Sequence, residues 1–123
     1  MNKIWAVRGA TTIDQDSSAE VITATESLLQ EIFLRNMIHP EDIVSLIFTV
    51  TPDITSEFPA VAARNLGLNT VPLLCAQELA KPGALSHCIR VLIHFYTELD
   101  KDLLQPVYLK EAVKLRPDLI SYT

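Results

Sequence analysis

Glycine is scarce in this 123-residue chain. Only Gly9, Gly67 and Gly83 occur, and none are grouped. A phosphate-cradling loop needs clustered glycines so that successive backbone amides can close on the phosphate oxygens, and its absence disfavours nucleotide binding. The two cysteines, Cys75 and Cys88, lack Cys-x-x-Cys spacing and read as reduced intracellular thiols. His39, His87 and His94 show no ligand spacing among themselves or with the cysteines, so neither a metal nor a cofactor is expected. Positive charge is also in deficit. A formal charge of −5 and a pI near 5.0 argue against nucleic acid or an anionic membrane as partner, since both call for a basic face. No apolar run approaches membrane-spanning length, and Met1 to Arg8 is too soon interrupted by charge to act as a secretory leader. The expected location is the cytoplasm.

Apolar residues are what the chain has in plenty. They make up 49% of it, more than enough for one core, and the length suits a single domain over residues 1–123. A mean hydropathy of +0.24 predicts that some apolar surface faces another subunit. The five arginines, Arg8, Arg35, Arg64, Arg90 and Arg116, allow a positive pocket for a small anion inside an acidic protein if several converge.

Taken in order, Lys3–Arg8 alternates and meets Gly9, predicting a first strand that delivers Arg8 to its end. Ser17 and Glu20 have capping-box spacing. From there Val21, Ile22, Leu28, Leu29, Ile32 and Phe33 recur three and four apart as a helical stripe, with Thr25, Glu26, Gln30, Glu31 and Arg35 on the solvated side. Pro40 begins a short helical turn, with His39 as a turn or cap residue, and Ile43–Thr51 reads as a second strand ended by Pro52-Asp53. Pro59 and Gly67 bracket a short helix. Pro72 confines the strand at Thr70–Cys75 to a sheet edge or to its own start. Cys88–Tyr96 is a further strand, and Pro106 onward a last strand running into a tail. The resulting class is α+β: a mixed five-stranded sheet with one long and one short helix on one side.

Arg90 stands out because it interrupts the apolar strand Cys88–Tyr96. A guanidinium stays protonated, so burying it costs several kcal/mol unless oxygens surround it. Two readings follow: a solvated or ion-paired arginine, or a cation held for a ligand. Neither cysteine has a histidine at a telling distance, since His87 and Cys88 point to opposite faces of a strand, so nucleophilic catalysis has no support. Arg8, Arg64, Arg90 and Arg116, with Tyr108, Cys75 and Glu78, instead suit an oxygen-rich anion. Both a catalyst and a non-catalytic binding module for such an anion fit those residues.

Six blocks carry a resemblance: Val7-Arg8-Gly9-Ala10-Thr11-Thr12; Thr51-Pro52-Asp53; Phe58-Pro59-Ala60 with Ala63-Arg64; Val71 to Glu78; Cys88-Ile89-Arg90-Val91; and Val107-Tyr108-Leu109 with Ala112 to Asp118. In this order and spacing they resemble the AroH class of monofunctional bacterial chorismate mutases. The resemblance implies a homotrimeric pseudo-barrel with active sites at subunit interfaces, converting chorismate to prephenate without a cofactor. It implies that Arg90 lies against the ether oxygen and a carboxylate, and that Arg8 binds a carboxylate. Tyr108 would supply a hydroxyl, and Cys75 and Glu78 would meet the ring hydroxyl. Phe58, Ala60, Leu74 and Leu115 would line the cavity, with Arg64 and Arg116 as peripheral cations. It also implies a tail, from about residue 112, that orders over bound ligand. Val61 departs from the pattern, because some members carry a basic residue there.

Overall fold

Alternation along one strand sets the architecture. In β4 (Cys88–Thr97), Ile89, Val91, Ile93 and Phe95 are buried while Arg90, Leu92 and His94 are half-exposed. With a side-chain period of two, the first set faces a helical layer and the second faces away from it. The computed structural model describes residues 2–115. The other strands are β1 (Lys3–Thr12), β2 (Ile43–Val50), β3 (Leu73–Gln77) and β5 (Val107–Tyr108). Their order in the sheet is β3-β2-β4-β1-β5. β4 is antiparallel to β1 and β2, whereas β2–β3 and β1–β5 are parallel. The chain is thus an α+β domain with a mixed five-stranded sheet, and β3, following Pro72, forms one edge.

The long helix α1 (Ser18–Asn36) starts where its cap signal predicts: the Ser17 hydroxyl accepts from the Glu20 amide. In the returning half of the box, Glu20 Oε1 accepts from the amides of Asp14 and Gln15 instead of Ser17. Leu28, Leu29 and Ile32 are completely buried in the main core with Phe48, Ile93 and Phe95, and each such side chain contributes roughly 1.5–3 kcal/mol by leaving water. The short helix α2 (Ala60–Asn65) follows Pro59 and gives way to Gly67 at φ +92°.

Several boundaries differ from expectation. β1 does not end at Gly9 but runs on to Thr12, so Arg8 sits within the strand opposite Leu92. Glycine at position 9 serves close packing: a Cβ there would lie 2.5 Å from Ile32 Cδ1 and 3.1 Å from the Val107 carbonyl oxygen. Thr25, placed on the solvated side by periodicity, is fully buried, while Ile22 is only half-buried. Arg35 is half-buried and paired with Glu31 one turn earlier, Nε to Oε1 at 2.7 Å. The last strand is two residues long. Lys110 adopts φ +53° and opens a 3-10 segment, Lys110–Leu115, whose Ala112 is buried against Ala10 and Cys88. The expected tail thus begins within that segment, and residues 116–123 lie outside the described ones. Among the described residues no helix is long and apolar enough to cross a membrane.

Both helices cover one face of the sheet. On the opposite face Ile47, Leu92 and His94 are half-exposed, and Leu74 is 61% exposed.

Candidate active site

On that open face lies a cleft of about 260 Å³, lined by Arg8, Gly9, Ala10, Ile47, Thr49, Arg90, Val91, Leu92 and Tyr108. Three central strands build it. Antiparallel register sets Arg90 between Ala10 of β1 and Thr49 of β2, and parallel pairing sets Tyr108 beside Ala10. Asn36, buried at the end of α1, fixes the approach to β5: its Nδ2 donates to the carbonyls of Ile32 and Gln105, and its Oδ1 accepts from the Gln105 amide at 2.6 Å. Tyr108 follows three residues later.

Glu78 joins the cleft from just beyond β3, where its amide donates to the Val50 carbonyl at 2.8 Å. Its carboxylate reaches over β2 toward Arg90. Oε2 accepts from the Thr49 hydroxyl at 2.6 Å and lies 2.9 Å from Arg90 Nε. Among the described residues the Nε–H is nevertheless without a hydrogen-bond partner, although the atom is out of contact with solvent. The 2.9 Å approach therefore counts as an ion pair but not as a directed hydrogen bond, because its angle is poor. The Arg90 side chain remains 42% exposed. Of the two readings of Arg90, the structure matches the solvated or ion-paired one: the side chain is half-exposed and its partner is Glu78 of the same chain.

The start of β4 is locked in place. Asp53 accepts from the His87 amide with both carboxylate oxygens, at 3.1 and 3.0 Å, and from the Thr51 hydroxyl at 2.5 Å. The Cys88 amide in turn donates to Thr51 Oγ1 at 2.9 Å. Burial opposes the charge on Asp53, but the Thr51 hydroxyl, the His87 amide and the nearby His87 ring outweigh it and hold the carboxyl below its ordinary range. These contacts hold His87 at φ +49°, outside strand geometry, and so fix where β4 begins and which face Arg90 takes. The Cys88 thiol is pushed up to about 11, by burial first, against the pull of the Arg90 charge.

The remaining predicted residues fall elsewhere. A second cleft of about 280 Å³ is lined by Val50, Ile54 to Pro59, and Cys75 to Gln77, and it shares no lining residue with the first. It holds Phe58 and Cys75; Phe58 is 66% exposed, and Cys75 is half-exposed and packs beside the main core. The loop bearing Phe58 is tied to the start of α1 through Asp16, whose carboxylate accepts from the amides and hydroxyls of both Thr55 and Ser56. Those bonds, the Ser56 hydroxyl first, lower the Asp16 carboxyl to about 2. Ala60 is 5% exposed within the core, Arg64 is exposed on the last turn of α2, and Leu74 is exposed on β3. Leu115 packs near Tyr108 beside Ala112. Arg116 lies outside the described residues. Thr49, Asp53 and Asp16 were not singled out as site residues. Thr49 Oγ1 meets a carboxylate 29 positions away, and the Asp16 carboxylate accepts from residues 39 and 40 positions away, separations that leave no periodic signal. Among the described residues no three His, Cys, Asp or Glu side chains gather as metal ligands would.

Two cations, Arg8 exposed on β1 and Arg90 ion-paired with Glu78, beside a phenol and apolar walls define an α+β protein with a cleft suited to a compact, oxygen-rich anion. The family model for chorismate mutase type I matches residues 4–119, and the chain belongs to that family. It is 47% identical over 119 residues to chorismate mutase AroH of Thermus thermophilus, covering 96% of this chain and 98% of that one. It is 42% identical over 117 residues to chorismate mutase AroH of Bacillus subtilis (strain 168), covering 94% and 92%. A solved chorismate mutase from Clostridium thermocellum superposes with a TM-score of 0.87 at 44% identity, over 88% of this chain and 96% of that one. The protein is an isomerase of aromatic amino acid biosynthesis with chorismate mutase activity.

Proposed function

We propose that the chain rearranges chorismate to prephenate in the cytoplasm as a homotrimer, each site formed where the Arg8–Arg90 cleft of one subunit meets the Phe58 cleft of the next. The observation that carries this reading is the division of the site residues between two clefts with no lining residue in common. The uncovered sheet face supports it, since Ile47, Leu74 and Leu92 offer an apolar surface that a second copy would bury.

The reaction is an intramolecular Claisen rearrangement. The ether carbon–oxygen bond breaks as a new carbon–carbon bond forms, with no proton, nucleophile or metal required by the chemistry. Two things remain for the protein to do. It must hold the flexible dianion in its compact conformer, and it must offer a fixed cation where negative charge grows on the ether oxygen. Arg8 takes a carboxylate, Tyr108 adds a hydroxyl, and Arg90 faces the ether oxygen and the second carboxylate. Glu78 accepts from the ring hydroxyl, with Cys75 beside it. The apolar wall of Phe58, Leu74 and Leu115 keeps water out, with Ala60 packed behind it in the core, while Arg64 and Arg116 draw the anion in. A half-exposed Arg90 becomes water-poor only once ligand and neighbouring subunit cover it, which strengthens its field at the moment it is needed.

Subunit complementation tests this reading. Arg90→Ala and Phe58→Asp chains, each inactive alone, should regain chorismate turnover when unfolded together and refolded, because some interfaces then pair an intact Arg90 with an intact Phe58. Mixed assemblies of trimer mass that stay inactive would show that both residues serve from the same subunit.

A further inference from the structure

Thr49 is assigned to none of the roles above, yet it lines the cationic cleft and its hydroxyl makes a short hydrogen bond to Glu78. It sits opposite Arg90 in the β2–β4 register and donates to Glu78 Oε2 at 2.6 Å. Arg90 Nε lies 2.9 Å from the same oxygen without forming a hydrogen bond. Among the described residues no hydrogen bond reaches Oε1 of Glu78. A carboxylate this close to a guanidinium ordinarily turns to make two parallel bonds with its fork. Such a pair would neutralise the cation and occupy both carboxylate oxygens. Here the threonine hydroxyl anchors Oε2, and among the described residues no pair of parallel bonds joins the carboxylate to the fork.

We infer that Thr49 is a positioning residue for catalysis: by anchoring one oxygen of Glu78 it leaves the other to accept from the substrate's ring hydroxyl and keeps Arg90 from being captured by its own carboxylate. The inference rests on the roles proposed above for Glu78 and Arg90. Geometry makes the device specific. Thr49 reaches Glu78 because β3 pairs parallel with β2: Ala76 lies beside Thr49, the β2 position that faces Arg90, and Glu78 follows two residues on. The hydroxyl matters and the methyl does not, so the two conservative replacements at this position should behave differently.

The test compares Thr49→Val, which keeps shape and loses the donor, with Thr49→Ser, which keeps the donor. A hydrogen bond to a charged group is worth enough that its loss should lower kcat by roughly 10- to 100-fold. That loss should fall on kcat more than on KM, because a misdirected Arg90 is missed most where charge develops in the transition state. Thr49→Ser should recover most of the activity. The decisive comparison adds Glu78→Ala: if Thr49 acts through Glu78, Thr49→Val causes no further loss in that background. Equal losses from Thr49→Val with and without Glu78 would make Thr49 merely structural, and Thr49→Val as active as Thr49→Ser would also overturn the inference. Near-normal turnover by Glu78→Ala alone would overturn the assignment of Glu78 and, with it, the role of Thr49.

Discussion

Oε2 of Glu78 lies 2.9 Å from Nε of Arg90, and among the described residues that nitrogen makes no hydrogen bond. The pair spans β2 and is held by Thr49 instead of by its own fork. An arrangement of this kind adds little to stability, because the guanidinium is 42% exposed and the Coulomb gain is screened by water. Its value lies in a cation whose donors remain available.

Replacing Arg90 should therefore affect rate far more than folding. Arg90→Ala is expected to lower kcat by about 10²- to 10³-fold, the usual cost of one preorganised donor, about 3–4 kcal/mol. Arg90→Lys should recover little, since an ammonium lacks the planar fork. Loss of chorismate absorbance measures the rate, and thermal unfolding should shift by only a few degrees.

The thiols should separate cleanly. Burial holds Cys88 up near 11, so at pH 8 it stays protonated and slow to react with a disulfide reagent until the chain unfolds. Cys75 offers only a hydrogen bond in the proposed mechanism, and Cys75→Ser should stay active. Thiol titration of native and unfolded protein, followed by an assay of Cys75→Ser, checks both expectations. Complete inactivation by serine would point to covalent chemistry.

Acid should loosen the Phe58 loop through Asp16. Its carboxyl falls from 3.8 to about 2 on folding, led by the Ser56 hydroxyl and the Thr55 amide. A group whose pKa is lowered by folding stabilises the native state above its unfolded value and loses that contribution as pH falls through the folded one. The difference in thermal midpoint between the natural chain and Asp16→Asn should be full above about pH 5, shrink as pH falls toward about 2, and vanish below that. A difference independent of pH would remove the ionised carboxylate from the account.

Gly9 should resist even a methyl group. A Cβ would meet Ile32 Cδ1 at 2.5 Å and the Val107 oxygen at 3.1 Å. The isoleucine tip can turn aside, but the carbonyl belongs to the β1–β5 pairing that positions Tyr108. Gly9→Ala should cost about 1–3 kcal/mol in denaturant unfolding. Adding Ile32→Val, which removes the nearer atom, should return part of it.

Much of this was legible in one dimension. Capping chemistry at Ser17, the Pro59 and Gly67 brackets and the alternation in β4 are local signals, and local signals survive in sequence. Six blocks in fixed order pointed to the family before any coordinate did. The errors were equally physical. Gly9 reads as a strand end because glycine often breaks strands, yet α1 presses so closely on β1 that only glycine fits. Thr25 reads as solvated because its side chain is polar, yet it is fully buried on α1. The final strand reads as long because Val107 to Leu115 is apolar enough, but Lys110 turns the backbone to φ +53° and closes it into a 3-10 segment.

By itself the sequence determined the elements, the single core and the kinds of chemistry present, since helix caps, turn residues and apolar period act over a few neighbours. Only tertiary structure decided which side chains meet. Thr49, Glu78 and Arg90 come from three different stretches of chain, and Asp16 grips a loop nearly forty residues ahead. Strand order and register bring such residues together. They are set by how the whole sheet packs under its helices, a property no local stretch contains.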